Sequence, residues 1–141
     1  MQILLIHSDF LEYGVTSEIR GLKTRDELDD RNMKKNARFE ECLVAFIAAE
    51  HGDAEKGAAS IAVEEIKGVV NQINAPRVVL YPYAHLSPNL ARPSEAISLL
   101  DEIHTRLNAE GIETHRVPFG WYKKFSIQCK GHPLSELSKR I

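Results

Sequence analysis

Val78-Val79-Leu80-Tyr81-Pro82-Tyr83-Ala84-His85-Leu86-Ser87-Pro88 is the stretch on which the reading of the fold turns. Four apolar residues, three of them β-branched or aromatic, are followed at once by turn formers, the pattern of a short buried strand. The strand delivers the chain into a helix start: Ser87 suits an N-cap and Pro88 the first helical position. Pro93 either kinks that helix or restarts it, with Ser94 as a second possible cap. Leu99, Leu100, Ile103 and Leu107 form its apolar stripe, and Gly111 stops it.

Working outward from that strand-helix unit, Ala58 to Ile73 reads as a second helix. Ala62, Ile66, Val69 and Ile73 share one face while Glu64, Glu65 and Lys67 point away, and Asn74-Ala75-Pro76 ends it. Cys42 to Ala49 has enough alanine for a helix, but its length and the His51-Gly52-Asp53 turn favour a buried strand. Ile3 to Ile6 is a continuous apolar run of the kind buried on both faces of a sheet. Phe10 to Val15 alternates and predicts a second, half-exposed strand joined to the first through a tight bend. Towards the C-terminus, Ile112 to Val117 predicts an edge strand and Trp121 to Cys129 another strand. Leu134 to Ile141 is compatible with a strand or a short helix. Strands interleaved with two main helices make a single α/β domain over residues 1–141, with a mixed β-sheet.

The totals bound the function classes. A chain of 141 residues, 43% hydrophobic and 27% charged, can bury a core of its own. A formal net charge of −2 argues against a basic field over the whole surface, so any contact with nucleic acid is local. Two cysteines, Cys42 and Cys129, both in apolar strand-like runs, do not make a disulfide scaffold. The start of the chain resembles neither a signal peptide nor an anchor, and no apolar stretch approaches the roughly 20 residues of a spanning helix. A soluble, cytoplasmic protein is expected.

Thr16 to Glu41 stands apart, with seven Lys/Arg and seven Asp/Glu. It predicts an exposed excursion with no core to join, either a solvated insertion or a loop whose Arg31, Lys34, Lys35 and Arg38 touch RNA phosphates.

Candidate chemistry gathers between Pro118 and Glu136. Lys123 and Lys124 are one step apart on a strand and point to opposite faces, so one can face a pocket while the other faces water. Cys129 and His132, spaced C-x-x-H, could begin a zinc site or pair as thiol and base. Zinc needs further ligands and the thiol an orienting group, so a buried thiol beside a turn histidine is preferred. Glu136 could accept a substrate amine. Upstream, His85 leaves a buried strand just ahead of a helix, where α/β folds place binding residues.

Taken together, Leu4-Leu5-Ile6-His7-Ser8-Asp9, Tyr81-Pro82-Tyr83-Ala84-His85-Leu86, Pro118-Phe119-Gly120-Trp121-Tyr122-Lys123 and Cys129-Lys130-Gly131-His132-Pro133-Leu134 resemble the N-terminal editing domain of archaeal threonyl-tRNA synthetases. The resemblance runs from Met1 to Ile141, with the motifs in order. It implies the fold of the D-aminoacyl-tRNA deacylases, a homodimer, attachment to the remainder of a threonyl-tRNA synthetase and no cofactor or metal. It further implies hydrolysis of the ester in seryl-tRNA wrongly formed on threonine tRNA, with the terminal ribose hydroxyl helping to activate water. By the same resemblance His85 is the pocket histidine, Lys123 the lysine near the scissile ester, Tyr122 its neighbour and Glu136 the carboxylate near the substrate amine. Pro82, Ala84 and Phe119 match pocket-wall positions. Trp121 stands where a tyrosine is common. Two rivals are a D-aminoacyl-tRNA deacylase on the same fold and a catalytically idle tRNA-binding or dimerisation module.

Overall fold

The computed structural model describes Met1–Ile141. Its elements are β1 (Gln2–Glu18), β2 (Asn36–Ala48), α1 (Ala58–Ile73), β3 (Val78–Pro82), α2 (Pro93–Ala109), β4 (Thr114–Arg116), β5 (Trp121–Cys129) and β6 (Glu136–Arg140), with one 3₁₀ turn at Ala84–Leu86. The expected α/β class holds: six strands form one sheet in the order β4-β3-β2-β1-β5, with β6 also on β1. The sheet is mixed, because β1 runs antiparallel to β2, β5 and β6 while β2, β3 and β4 are parallel. No helix is long and apolar enough to cross a membrane.

The predicted pair of hairpin-joined strands at Ile3–Ile6 and Phe10–Val15 is instead one strand of 17 residues. What resembled a bend is an irregularity at Asp9, where pairing with β5 steps from Ser8–Cys129 to Phe10–Gln128. One extra residue in a strand exchanges its two faces. Ile3 and Leu5 accordingly pack on the helix side of the sheet, whereas beyond Asp9 the odd-numbered Leu11 and Tyr13 pack on the other. Glu41 lies across from Asp9 with a φ of 45° and does the same for β2. The two carboxylates share Lys130, whose Nζ lies 2.6 Å from Asp9 and 2.7 Å from Glu41.

Both helices cover one face. Ala62, Val63, Ile66 and Val69 of α1, and Leu99, Leu100, Ile103 and Leu107 of α2, bury against Ile3, Leu5, Leu43, Ala45, Ile47, Val78 and Leu80. Each of the valine, leucine and isoleucine side chains contributes roughly 1.5–3 kcal/mol by leaving water. On the opposite face the sheet curls onto itself, closing a smaller core of Leu11, Tyr13, Cys42, Val44, Phe46, Val79, Tyr81 and Val117. β4 is the predicted edge, and the C-terminal residues form a strand, β6, opposite Gln2–Ile6.

The helix start expected at Ser87 and Pro88 is corrected. α2 begins at Pro93, the restart position, with Arg92 before it. Ser87 is engaged elsewhere: its hydroxyl donates to Glu50 Oε2 at 2.5 Å and accepts the Asn89 amide at 3.0 Å. Ser94 lies inside the helix and caps nothing.

The charged excursion is also corrected in part. β1 continues to Glu18 and β2 begins at Asn36, leaving Ile19 to Lys35 between them. That stretch is not all solvated. Ile19 donates its amide to the Gly120 carbonyl at 3.3 Å, and Asp26 donates to the Phe119 carbonyl at 3.0 Å. Gly120 has a φ of 91°, and a Cβ placed there would collide with Arg25 Cβ and lie 2.9 Å from its Cα. Only glycine lets the two backbones meet so closely. Arg38 belongs to β2, pairs with Glu12 and Glu40 at 3.1 and 2.6 Å, and covers the Phe10 ring.

One buried charge cluster ties the sheet to the segment after β3. The Met1 ammonium, fully buried, sits 2.8 Å from Asp53 and 2.7 Å from Glu50. Hydrogen bonds from that ammonium and then from Ser87 hold Glu50 at a pKa of about 2, against 4.5 ordinarily. A carboxylate depressed on folding stabilises the protein above its unfolded pKa and loses that contribution as pH falls towards the folded one. Glu50→Gln therefore lowers stability by about 1–3 kcal/mol at neutral pH in urea unfolding. The gap from the parent protein closes as pH drops from 4.5 towards about 2.

Candidate active site

A cavity of about 480 Å³ opens where β2 and β3 end, beside the N-terminal turns of α2. In a sheet with parallel strands, the carboxyl ends are where a crevice is left between the connections. Ile47 and Ala49 form the floor together with Tyr81. The segment Pro82–His85 makes one side, Ala96 and Leu100 of α2 the back, and Phe119–Lys123 the other side, with Ile19 and Leu22 of the excursion adjoining.

Six of the seven site residues that the resemblance implies line this cavity: Pro82, Ala84, His85, Phe119, Tyr122 and Lys123. They come from two stretches more than thirty residues apart, brought into one sheet because β5 pairs with β1 while β3 pairs with β2. Glu136 is not among them. It lies on β6 opposite Ile6, exposed to solvent.

Lys123 is the best-defined polar group. Its Nζ donates to the Pro118 carbonyl at 2.7 Å and the Trp121 carbonyl at 3.0 Å, and lies 5.3 Å from the centroid of the Tyr81 ring. An ammonium has three N–H bonds, so one remains for a ligand. Burial drives its pKa down to about 8, partly opposed by the Asp26 carboxylate and reinforced by the Arg116 guanidinium. Lys124, one residue on, is exposed, as the strand alternation predicts.

His85 is exposed at the cavity mouth, its ring 5.1 Å from that of Tyr83 in an edge-on arrangement. Tyr122 is half exposed on the rim. Beneath them an aromatic cluster sets the cavity's shape: Tyr81 contacts Phe46 and Phe125 at centroid distances of 5.1 and 5.2 Å, and Tyr83 contacts Phe46 at 5.0 Å. Apart from Lys123, His85 and three tyrosines, the lining carries no ionisable group. It can seat a small group, donate one strong hydrogen bond and keep bulk water away.

Cys129 and His132 stand away from this cavity and take separate partners. Cys129 Sγ lies 3.5 Å from Ser135 Oγ. His132 Nδ1 accepts the Leu134 amide at 3.1 Å, so its proton is on Nε2, which faces His7 Nδ1 at 2.7 Å. This pair braces the junction where β5 gives way to β6 along β1. Burial, then the neighbouring His132, lowers the pKa of His7.

The residues that sequence reasoning missed are those that hold the wall. Asp26 accepts the Phe119 amide and pairs with Arg116, and its carbonyl accepts the Trp121 indole N–H. Nothing local distinguishes Asp26 from its charged neighbours. Arg116 stands in β4 beside Thr114 and His115, so the strand does not mark it as a buried charge in need of a partner either.

Comparison with known proteins gives this geometry its context. The model of the archaea-specific editing domain of threonyl-tRNA synthetase matches residues 1–141. Threonine--tRNA ligases of Methanobrevibacter smithii and Methanocaldococcus jannaschii are each 46% identical over the whole chain, and that of Thermococcus kodakarensis 44%. The chain spans only 22–23% of the length of these relatives. With the matched model covering every residue, and two of the four motifs that carry the likeness lining the cavity, the chain belongs to the archaea-specific editing domain family of threonyl-tRNA synthetases, an aminoacyl-tRNA deacylase module.

Proposed function

We propose that the domain hydrolyses L-seryl-tRNA formed in error on threonine tRNA, releasing serine and free tRNA. The observation that carries this reading is Lys123: a half-buried ammonium in an apolar cavity of about 480 Å³, with two N–H bonds fixed on carbonyls and one free. The need for such a reaction is physical. A site built to accept threonine rejects serine weakly, since a missing methylene or methyl is worth only about 1–3 kcal/mol. A second, smaller cavity admits serine and turns the extra methyl of threonine into a steric penalty.

In this reading the aminoacyl ester enters between Pro82–His85 and Phe119–Lys123. The free N–H of Lys123 meets the ester carbonyl oxygen and stabilises the negative charge that develops on it. Water adds to the carbonyl carbon, the bond to the ribose oxygen breaks, and that oxygen leaves with a proton. The lining supplies no carboxylate or thiol to take the water's proton. A ribose hydroxyl of the terminal adenosine, brought in by the substrate, fills that role, and the protein's contribution is positioning. His85, at the mouth, holds the terminal nucleotide or the amino acid. The remainder of a threonyl-tRNA synthetase, attached or separate, supplies the charged tRNA.

Glu136 fits the reading only through a second copy of the chain. It lies outside the cavity of its own chain, so a role with the substrate amine requires a homodimer in which β6 of one protomer approaches the cavity of the other.

Threonine tRNA charged with serine or with threonine, incubated with the domain, discriminates these ideas. Rapid release of serine and slow release of threonine is expected. Preference for D-amino acids would indicate a D-aminoacyl-tRNA deacylase, and binding without release an idle module. Lys123→Met slows serine release about 10²–10³-fold, the usual cost of removing an oxyanion donor. Because the ammonium is the working form, enzymatic release over the spontaneous rate is steady below a pH of about 8 and declines above it. For Glu136, mixing Lys123→Met with Glu136→Ala protomers restores activity in mixed dimers if the carboxylate acts across the interface. No recovery, in mixtures shown to exchange subunits, confines the site to one chain.

A further inference from the structure

Asp26 spends every polar group it has on one wall of the cavity. Its amide donates to the Phe119 carbonyl at 3.0 Å. Its carbonyl accepts the Trp121 indole N–H at 2.9 Å. One carboxylate oxygen accepts the Phe119 amide at 2.8 Å and meets Arg116 Nη1 at 2.7 Å, while the other accepts Arg116 Nη2 at 2.8 Å. The Arg116 side chain is 1% exposed and that of Asp26 11%, so this is a fork-to-fork pair largely removed from water. Arg116 is tied on its far side to Asp101 at 2.9 Å.

The wall so clamped, Pro118 to Trp121, is the one whose two carbonyls hold the Lys123 ammonium. We propose that Asp26 is a positioning residue for Lys123: it fixes the peptide wall that aims the ammonium into the cavity, and it supplies the one carboxylate that acts on that ammonium. The inference rests on the reading of Lys123 given above and adds to it a residue from the charged excursion.

The charges around Lys123 come from two elements, Asp26 of the excursion and Arg116 of β4, and the ring packed on it is Tyr81 of β3. Asp26 favours the protonated amine and Arg116 disfavours it, while burial is the larger effect. Asp26→Asn keeps the shape and one acceptor for the Phe119 amide but removes the charge. Arg116 is then uncompensated on this side, and Lys123 loses its proton at a lower pH. A residue that merely held the chain together would leave that titration where it is.

The test has two readouts on the 141-residue domain. Lysine labelled with ¹³C at Cε is titrated by NMR, with Lys123 assigned by Lys123→Arg, in the parent and in Asp26→Asn. Serine release from misacylated threonine tRNA is followed across the same pH range. In Asp26→Asn the Lys123 midpoint moves down, and the pH at which release declines moves down with it. kcat falls by between about tenfold and about a hundredfold, and KM changes less. An unmoved midpoint, or a parent-like rate, in a folded Asp26→Asn overturns the proposal. If that variant does not fold, Asp26→Asn with Arg116→Gln leaves no orphaned guanidinium. Its Lys123 midpoint returns towards the parent's because both opposing charges are gone, its rate stays depressed, and full activity overturns the proposal. If the parent itself releases no serine, the functional reading fails, and the NMR titration alone decides the placement of Asp26.

Discussion

One edge of β1 has to serve two strands. Over Gln2–Ile6 it pairs with β6, and over Ser8–Glu18 with β5, while its other edge pairs with β2 over Gln2–Gly14. A straight, regular strand of this length would keep one set of side chains on the helix side from end to end. The extra residue at Asp9 prevents that and passes the odd-numbered side chains from the helix-covered core to the curled one. A second irregularity follows at Thr16, between the Val15–Lys123 and Ser17–Tyr122 pairings, and its hydroxyl donates to the Tyr122 carbonyl at 3.1 Å. Together these bring β5 over the aromatic floor at the end of β3, where Lys123 and Phe125 meet Tyr81.

Charge within this frame is answered group by group, with burial nearly complete at Met1–Asp53 and Arg116–Asp26 and only partial at Lys130. Lys130 answers Asp9 and Glu41 at the point where both strands change face. The Met1 ammonium answers Glu50 and Asp53, and through Glu50 and Ser87 steadies the segment that carries His85. Asp26 answers Arg116 across the cavity wall. Breaking such pairs one side at a time is costly, because the remaining charge stays buried. Lys123 is the exception: it has two carbonyl acceptors and no carboxylate in contact, and burial depresses its pKa. An underpaired cation in an apolar cavity is suited to meet an oxygen on which negative charge develops.

Much of this was legible in the residues themselves. The stripes of α1 and α2 carry a helical period, with Gly111 as the stop of α2, and the apolar runs of β2 and β3 are short and bounded by turn formers, as strands are. The motifs at Pro82–His85 and Pro118–Lys123 led to six residues that share one cavity. The misses have a common cause. Asp9 and Ser87 are polar residues after apolar strands, which local chemistry reads as a bend and a cap. Their real partners, Lys130 and Glu50, are 121 and 37 residues away. The Ile19–Lys35 stretch was read as solvated because its apolar residues are few, yet Ile19, Leu22 and Asp26 suffice to make it part of the wall. Glu136 is a different case: the resemblance sets it near the substrate amine, and the turn at Gly131–Ser135 carries it onto β6, outside the cavity of its own chain.

In the function proposed above, these features converge on a cavity in which the free N–H of Lys123 meets an ester carbonyl. The most direct measurement is a crystal structure of the domain with a 3′-serylamino adenosine, in which an amide replaces the labile ester. The account predicts that the seryl group occupies the cavity between Pro82–His85 and Phe119–Lys123, with its carbonyl oxygen about 3 Å from Lys123 Nζ. An analogue seated elsewhere, or one that leaves Lys123 bonded only to the Pro118 and Trp121 carbonyls, would contradict it.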